Sequence, residues 1–152
     1  MIDKLTLKKT LGAVLGGSGF TRKGSTWFAT SADVVTVVNL QKSDHGNYYY
    51  LRCGLHLRSL SEEWQPKINK CHIQFALEAF IPERADLFAK GLDLEAGDED
   101  DLDALATLIA ERCVPVLAEL STMDGLRRRY QQGALARSLI VWQARELLEA
   151  AA

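Results

Sequence analysis

Hydrophobic and polar positions alternate in two different periods along this chain. Leu7, Leu11, Val14 and Leu15 recur at helical spacing, with Lys4, Lys8 and Lys9 mostly off that stripe, so residues 3–15 are predicted helical. Gly16-Gly17-Ser18-Gly19 stops the helix, because successive glycines favour the left-handed turn. Period two then takes over. Phe20–Lys23 leads into a short strand, Thr26–Thr30, and Ser31-Ala32-Asp33 reads as a turn. The β-branched run from Val34 to Gln41 is the clearest strand. Ser43–Asn47 supplies a hairpin loop containing Gly46. Tyr48–Arg58 follows with clean alternation. Tyr49, Leu51, Cys53, Leu55 and Leu57 form one face, and Tyr48, Tyr50, Arg52, Gly54, His56 and Arg58 the other. Such alternation means one buried face and one wetter face.

Residues 59–70 are polar and read as a loop or short helical turn. Ile73, Phe75, Leu77 and Ala79 give a further strand, ended by Pro82, and Glu83–Lys90 a short helix closed by Gly91. Gly97-Asp98-Glu99-Asp100-Asp101 opens a long helix reaching about Leu120, its acidic first turn matching the positive end of the helix dipole. Pro115 lies inside that pattern and is expected to kink it. Ser121 and Thr122 are candidate caps for a helix over Met123–Gln132, and a last helix is expected over Ala134–Ala151. Consecutive strands with short loops pair antiparallel. The expectation is one α+β domain over residues 1–152: an N-terminal helix, an antiparallel sheet of three to four strands, and C-terminal helices packed on one face.

The motifs that carry the order of these elements have a familiar sequence. Gly19-Phe20-Thr21-Arg22-Lys23-Gly24 is followed by Trp27-Phe28. Val37-Val38-Asn39-Leu40-Gln41-Lys42-Ser43 ends a strand before the hairpin, and Leu51-Arg52-Cys53-Gly54-Leu55 carries a central glycine. Val114-Pro115-Val116-Leu117 comes later, with Ser121-Thr122 and Leu126. In order and spacing, over roughly residues 5–130, the chain resembles the bacterial family known as domain of unknown function 4304. The resemblance implies an α+β fold and an intracellular bacterial protein. It imports no activity and no catalytic residues.

Composition narrows the function classes. The 152 residues carry a net charge of −2, unevenly spread. Residues 1–70 hold ten Lys and Arg against five Asp and Glu, residues 71–124 three against thirteen, and residues 125–152 five against two. Segregated charge steers a charged partner, or it marks surfaces that neutralise one another when packed, which is the commoner case. Three cysteines, Cys53, Cys71 and Cys113, make an odd set with no close pairing, so a reducing cytoplasm is expected rather than a disulfide framework. The first residues show no basic-then-apolar signal, neither end shows a lipidation pattern, and no apolar run is long enough for a membrane span.

Specific chemistries fail on spacing. The glycines at 16–19 follow a helix and precede a strand, and position 22 is arginine, so neither a dinucleotide nor a Walker phosphate loop is present. His45, His56 and His72 are scattered, and Cys71-His72 are neighbours that point to opposite faces of a strand, so no metal or cofactor site is expected. The Asp98–Asp101 run lacks the ligand spacing of a calcium loop. No activated Ser or Cys is visible. Arg127-Arg128-Arg129 with Tyr130 could touch phosphates, but a pI of about 5.9 argues against a nucleic-acid footprint.

One constellation remains, on the polar sheet face: Arg52, His56 and Arg58 on one strand, with Gln74 and Glu78 beside them on the next. Charge-assisted donors, an acceptor and a titratable imidazole are suited to an anionic ligand or a partner's loop. The leading expectation is a non-enzymatic cytoplasmic protein acting through protein–protein contact, with an immunity- or antitoxin-like role in which an acidic patch masks a basic effector. The alternative is a small anionic-ligand binder or an enzyme on the polar face, with Arg52 fixing the anion and His56 as acid or base.

Overall fold

The first helix forms where the leucine stripe begins. In a computed structural model, which describes residues 1–150, α1 spans Lys4–Gly16. Asp3 caps it, its carboxylate accepting the N–H groups of Leu5 at 2.7 Å and Thr6 at 3.3 Å. Leu7, Leu11 and Leu15 are buried, and the chain turns out of the helix through Gly19 at φ 92°. Only glycine takes that left-handed conformation without strain.

Six strands follow: β1 (Thr21–Lys23), β2 (Thr26–Thr30), β3 (Val34–Lys42), β4 (Tyr49–Leu57), β5 (Ile73–Ala76) and β6 (Leu139–Ile140). Each pairs antiparallel with the next, so the order across the sheet is the order along the chain. The register brings Trp27, Val38, Cys53 and Phe75 into one row across the inner face. Tyr49, Leu51, Cys53, Leu55 and Leu57 all face this core, as their alternation predicts.

The helices α2 (Ala85–Gly91), α3 (Glu99–Leu108), α4 (Val114–Glu119), α5 (Met123–Gln131) and α6 (Trp142–Glu149) supply the other half of that core. Asp98 and Asp101 form a reciprocal capping box at the start of α3. The predicted break at Pro115 is a π-helical turn, Ile109–Cys113, between α3 and α4. The wider turn absorbs the backbone bond that a proline cannot make. Among the described residues no helix is long and apolar enough to cross a membrane.

The sheet has more strands than the three to four predicted. β1 and β6 are both short edge strands, which carry little local signal. β5 stops at Ala76, where Leu77–Phe80 wind into a 3-10 turn. The predicted final helix is corrected too. Residues 134–138 are turns, β6 follows, and α6 begins only at Trp142; the expected end at Ala151 lies outside the described residues. The open edge of β5 takes up Leu139 and Ile140, and the Val141 N–H donates to the His72 carbonyl at 3.0 Å. Tertiary pairing here overrides helix propensity.

Candidate functional site

The outer face of the sheet is not open along its length. β3 is buried on both sides: Val34, Val38 and Leu40 face the helices, while Val35 and Val37 join Phe28 and Cys71 in a second, smaller core. A continuous apolar strand implies a cover on each face. The cover is the segment 59–71, which runs out over β2 as far as Lys23 and returns through Ile68 and Cys71 to β5. This strap passes so close to β4 that a Cβ at Gly54 would lie 2.6 Å from Cys71 Sγ and 2.8 Å from Ile68 Cδ1. The central glycine of the Leu51–Leu55 motif is the gap through which the strap packs.

The strap decides the fate of the predicted site. His56 lies under it, 3% exposed, with Nε2 donating to the Ser61 carbonyl at 2.8 Å. Its Nδ1 is buried without a partner among the described residues. The His72 ring packs against it, centroids 4.5 Å apart and planes tilted by 34°, and His72 Nδ1 accepts the Leu57 N–H at 2.9 Å. Burial, then the neighbouring His56, pushes the His72 pKa below its ordinary value. Arg58 donates to the carbonyls of Ser31 at 2.7 Å and Ala32 at 3.3 Å, and its guanidinium lies 5.2 Å from the Trp64 ring centre. Gln74 donates to the Cys71 carbonyl at 3.3 Å. His56, Arg58 and Gln74 hold the strap and its anchor points in place.

Arg52 and Glu78 lie elsewhere, toward the loop end of the β3–β4 hairpin. Burial raises the Glu78 pKa, and the charge of Arg52 works against that rise. Glu78 lines a cleft of about 290 Å³ with Tyr48, Tyr50, Asp93, Phe88 and Leu92. The cleft is held by backbone pairing, since the Tyr49 N–H donates to Leu92 O and the Leu94 N–H to Asn47 O. The Tyr48 and Tyr50 rings meet edge to face, centroids 5.5 Å apart at 83°. Hydrogen bonding to Ser43 lowers the Tyr48 pKa, and hydrogen bonding to Tyr48 raises that of Tyr50. Tyr50 is 43% exposed, so its ring is accessible at the mouth of the cleft.

Beyond Asp93 the surface is acidic. The ion pairs of the described residues join Glu83 to Arg112 at 3.0 Å, and Glu119 to Arg128 at 3.0 Å and Arg129 at 2.9 Å. Arg127 donates to the Leu147 carbonyl, so the triple-arginine run is engaged within the molecule. None of these pairs involves Asp93, Glu95, Asp98, Glu99, Asp100 or Asp103. Those six carboxylates thus stand outside the ion pairs that Glu83 and Glu119 make with arginines.

The thiols offer no nucleophile. All three are buried, and burial pushes Cys71 and Cys113 up to about 12 and Cys53 higher still. Among the described residues no three metal-ligating side chains converge. Alternation alone placed Tyr48 and Tyr50 beside Arg52, yet nothing local linked them to Asp93, more than forty positions away. A model of the family described as "Domain of unknown function (DUF4304)" matches residues 11–119. No curated protein and no solved structure matches the chain.

Proposed function

This chain belongs to the family described as domain of unknown function (DUF4304), and from that premise we propose that it is a non-enzymatic cytoplasmic binding protein that recognises a basic protein partner. The tyrosine–carboxylate cleft carries this reading. Tyr48 and Tyr50 present aromatic surface, Glu78 and Asp93 present negative charge, and Phe88 and Leu92 form an apolar base. That set suits a lysine or arginine side chain, whose stem packs on the base while its charge meets rings and carboxylates. The unpaired acidic surface from Asp93 to Asp103 continues the cleft and would speed encounter with a basic effector. An immunity- or antitoxin-like role in a bacterium is the biological setting this chemistry fits. The alternative with His56 as acid or base gains no support from a ring shut under the strap and bonded to Ser61.

The direct test is binding to the basic product of an adjacent gene, measured by calorimetry. Affinity is expected to fall steeply with added salt. Tyr50→Ala or Asp93→Asn should each weaken it about tenfold, the cost of losing one cation-binding contact at a hot spot. Unchanged affinity in both variants, or no binding, overturns the reading.

A further inference from the structure

The strap and the sheet enclose a second cleft that shares no residue with the tyrosine cleft. It holds about 570 Å³ between the outer face of β1–β3 and residues 65–69. That volume is within the range of small-molecule sites. Its floor is apolar, made by Phe28 and Ile68 of the outer core, and Pro66 is buried where the strap is pinned.

Its rim is cationic. Lys23 stands on the sheet edge and Lys67 on the strap, both exposed. The Lys23 ammonium reaches the Gln65 amide oxygen at 3.3 Å, which is a neutral acceptor. Neither lysine enters an ion pair of the described residues, and no Asp or Glu lines the cleft. Two ammonium groups thus face one concavity without a counter-charge.

A fixed polar pair completes the wall. Asn39 Nδ2 donates to Thr26 Oγ1 at 2.8 Å and reaches the Ser25 carbonyl at 3.5 Å. Because Thr26 accepts that bond, its hydroxyl proton is free to donate into the cleft. Its position is set before any ligand arrives, which reduces the ordering cost of binding.

We propose that this cleft binds a small organic anion, whose acid group sits between Lys23, Lys67 and the Thr26 hydroxyl and whose apolar body lies on Phe28 and Ile68. A bare anion would satisfy the lysines and leave the floor wet. A neutral aromatic would cover the floor and leave the charges unmet. The site is built for both features in one molecule.

The test is a titration of the ¹⁵N-labelled protein followed by amide shifts. The probes are phenyl phosphate and phenylacetate, with inorganic phosphate as the charge alone and benzyl alcohol as the body alone. Saturable shifts are expected in β2, β3 and residues 65–69, at an affinity about tenfold above that of either half-probe. Whichever of the two acids binds tighter identifies the acid group. The double variant Lys23→Gln/Lys67→Gln should lose about tenfold in affinity with its melting temperature nearly unchanged, since exposed lysines outside ion pairs hold little of the fold. Asp93→Asn should bind the probes as the unaltered protein does, which separates this site from the tyrosine cleft. Equal binding of inorganic phosphate, shifts scattered over the basic surface, affinity retained in the double variant, or no shifts at all would each overturn the proposal.

Discussion

A methyl group added at Gly54 would meet Cys71 Sγ at 2.6 Å and Ile68 Cδ1 at 2.8 Å, closer than packed atoms approach. Gly54→Ala therefore forces the strap away from β4 and should cost about 1–3 kcal/mol of stability, the range for overpacked sites. Urea denaturation measures that loss, and faster proteolysis within residues 59–71 would place it at the strap. His72 makes a second prediction. Its folded-state pKa lies below the ordinary 6.5, chiefly through burial and then through His56. The unfolded chain thus takes up a proton near that value while the folded chain does not. Stability from this position is intact above about pH 6.5 and is lost as pH falls from there through the lowered folded value. Protonation also removes the lone pair that accepts the Leu57 N–H. His72→Asn keeps an acceptor without the titration, so its melting temperature should fall less between pH 7.5 and 5 than that of the parent. An identical pH slope in both proteins would show that position 72 plays no part. Neither role was visible in the sequence. Alternation put Gly54 and His56 on the right face but could not show that the face was covered.

Among the elements, local signals were read well where the local sequence decides the outcome. Asp98 opens α3 through a capping box whose two bonds measure 2.9 Å and 3.1 Å, and backbone hydrogen bonding from Asp101 holds the Asp98 carboxyl below its usual range. Asp98→Ala should cost about 1 kcal/mol, the typical value of an N-cap, read by thermal or urea unfolding. The core face of β4 and the start of α1 were legible for the same reason, since period and cap residues lie within a few positions. The segment 134–141 was not. Ala134, Leu135 and Ala136 favour a helix by propensity, yet Gly133 at φ 81° stops α5 and the free edge of β5 takes Leu139 and Ile140. The β-branched pair Ile140-Val141 was the available sign of a strand. A two-residue edge strand is too short to announce itself by alternation.

For the molecule as a whole, charge was informative in bulk and uninformative in place. The acidic excess of residues 71–124 was countable, and it does form a surface whose carboxylates are largely outside the ion pairs. What counting could not supply was the strap, because a cover is a property of distant segments meeting. The run Val34–Val38 did carry a hint, being apolar on both parities where a half-exposed strand would alternate. The five residues proposed from the polar face divide accordingly. His56, Arg58 and Gln74 fasten the cover, while Glu78 lines the tyrosine cleft and Arg52 acts on it by its charge.

The strand order has a consequence for how the chain assembles. Every strand from β1 to β5 pairs with a partner that is its immediate neighbour in the chain, and only β6 arrives from afar. The closures from β1 to β4 are short and cost little chain entropy, so these hairpins can zip one onto the next during synthesis, and β5 joins once the strap has been made. Until residues 139–140 leave the ribosome, β5 stands as a raw edge able to pair with another nascent copy. The last strand, two residues long, is then the seal that ends the window for misassembly.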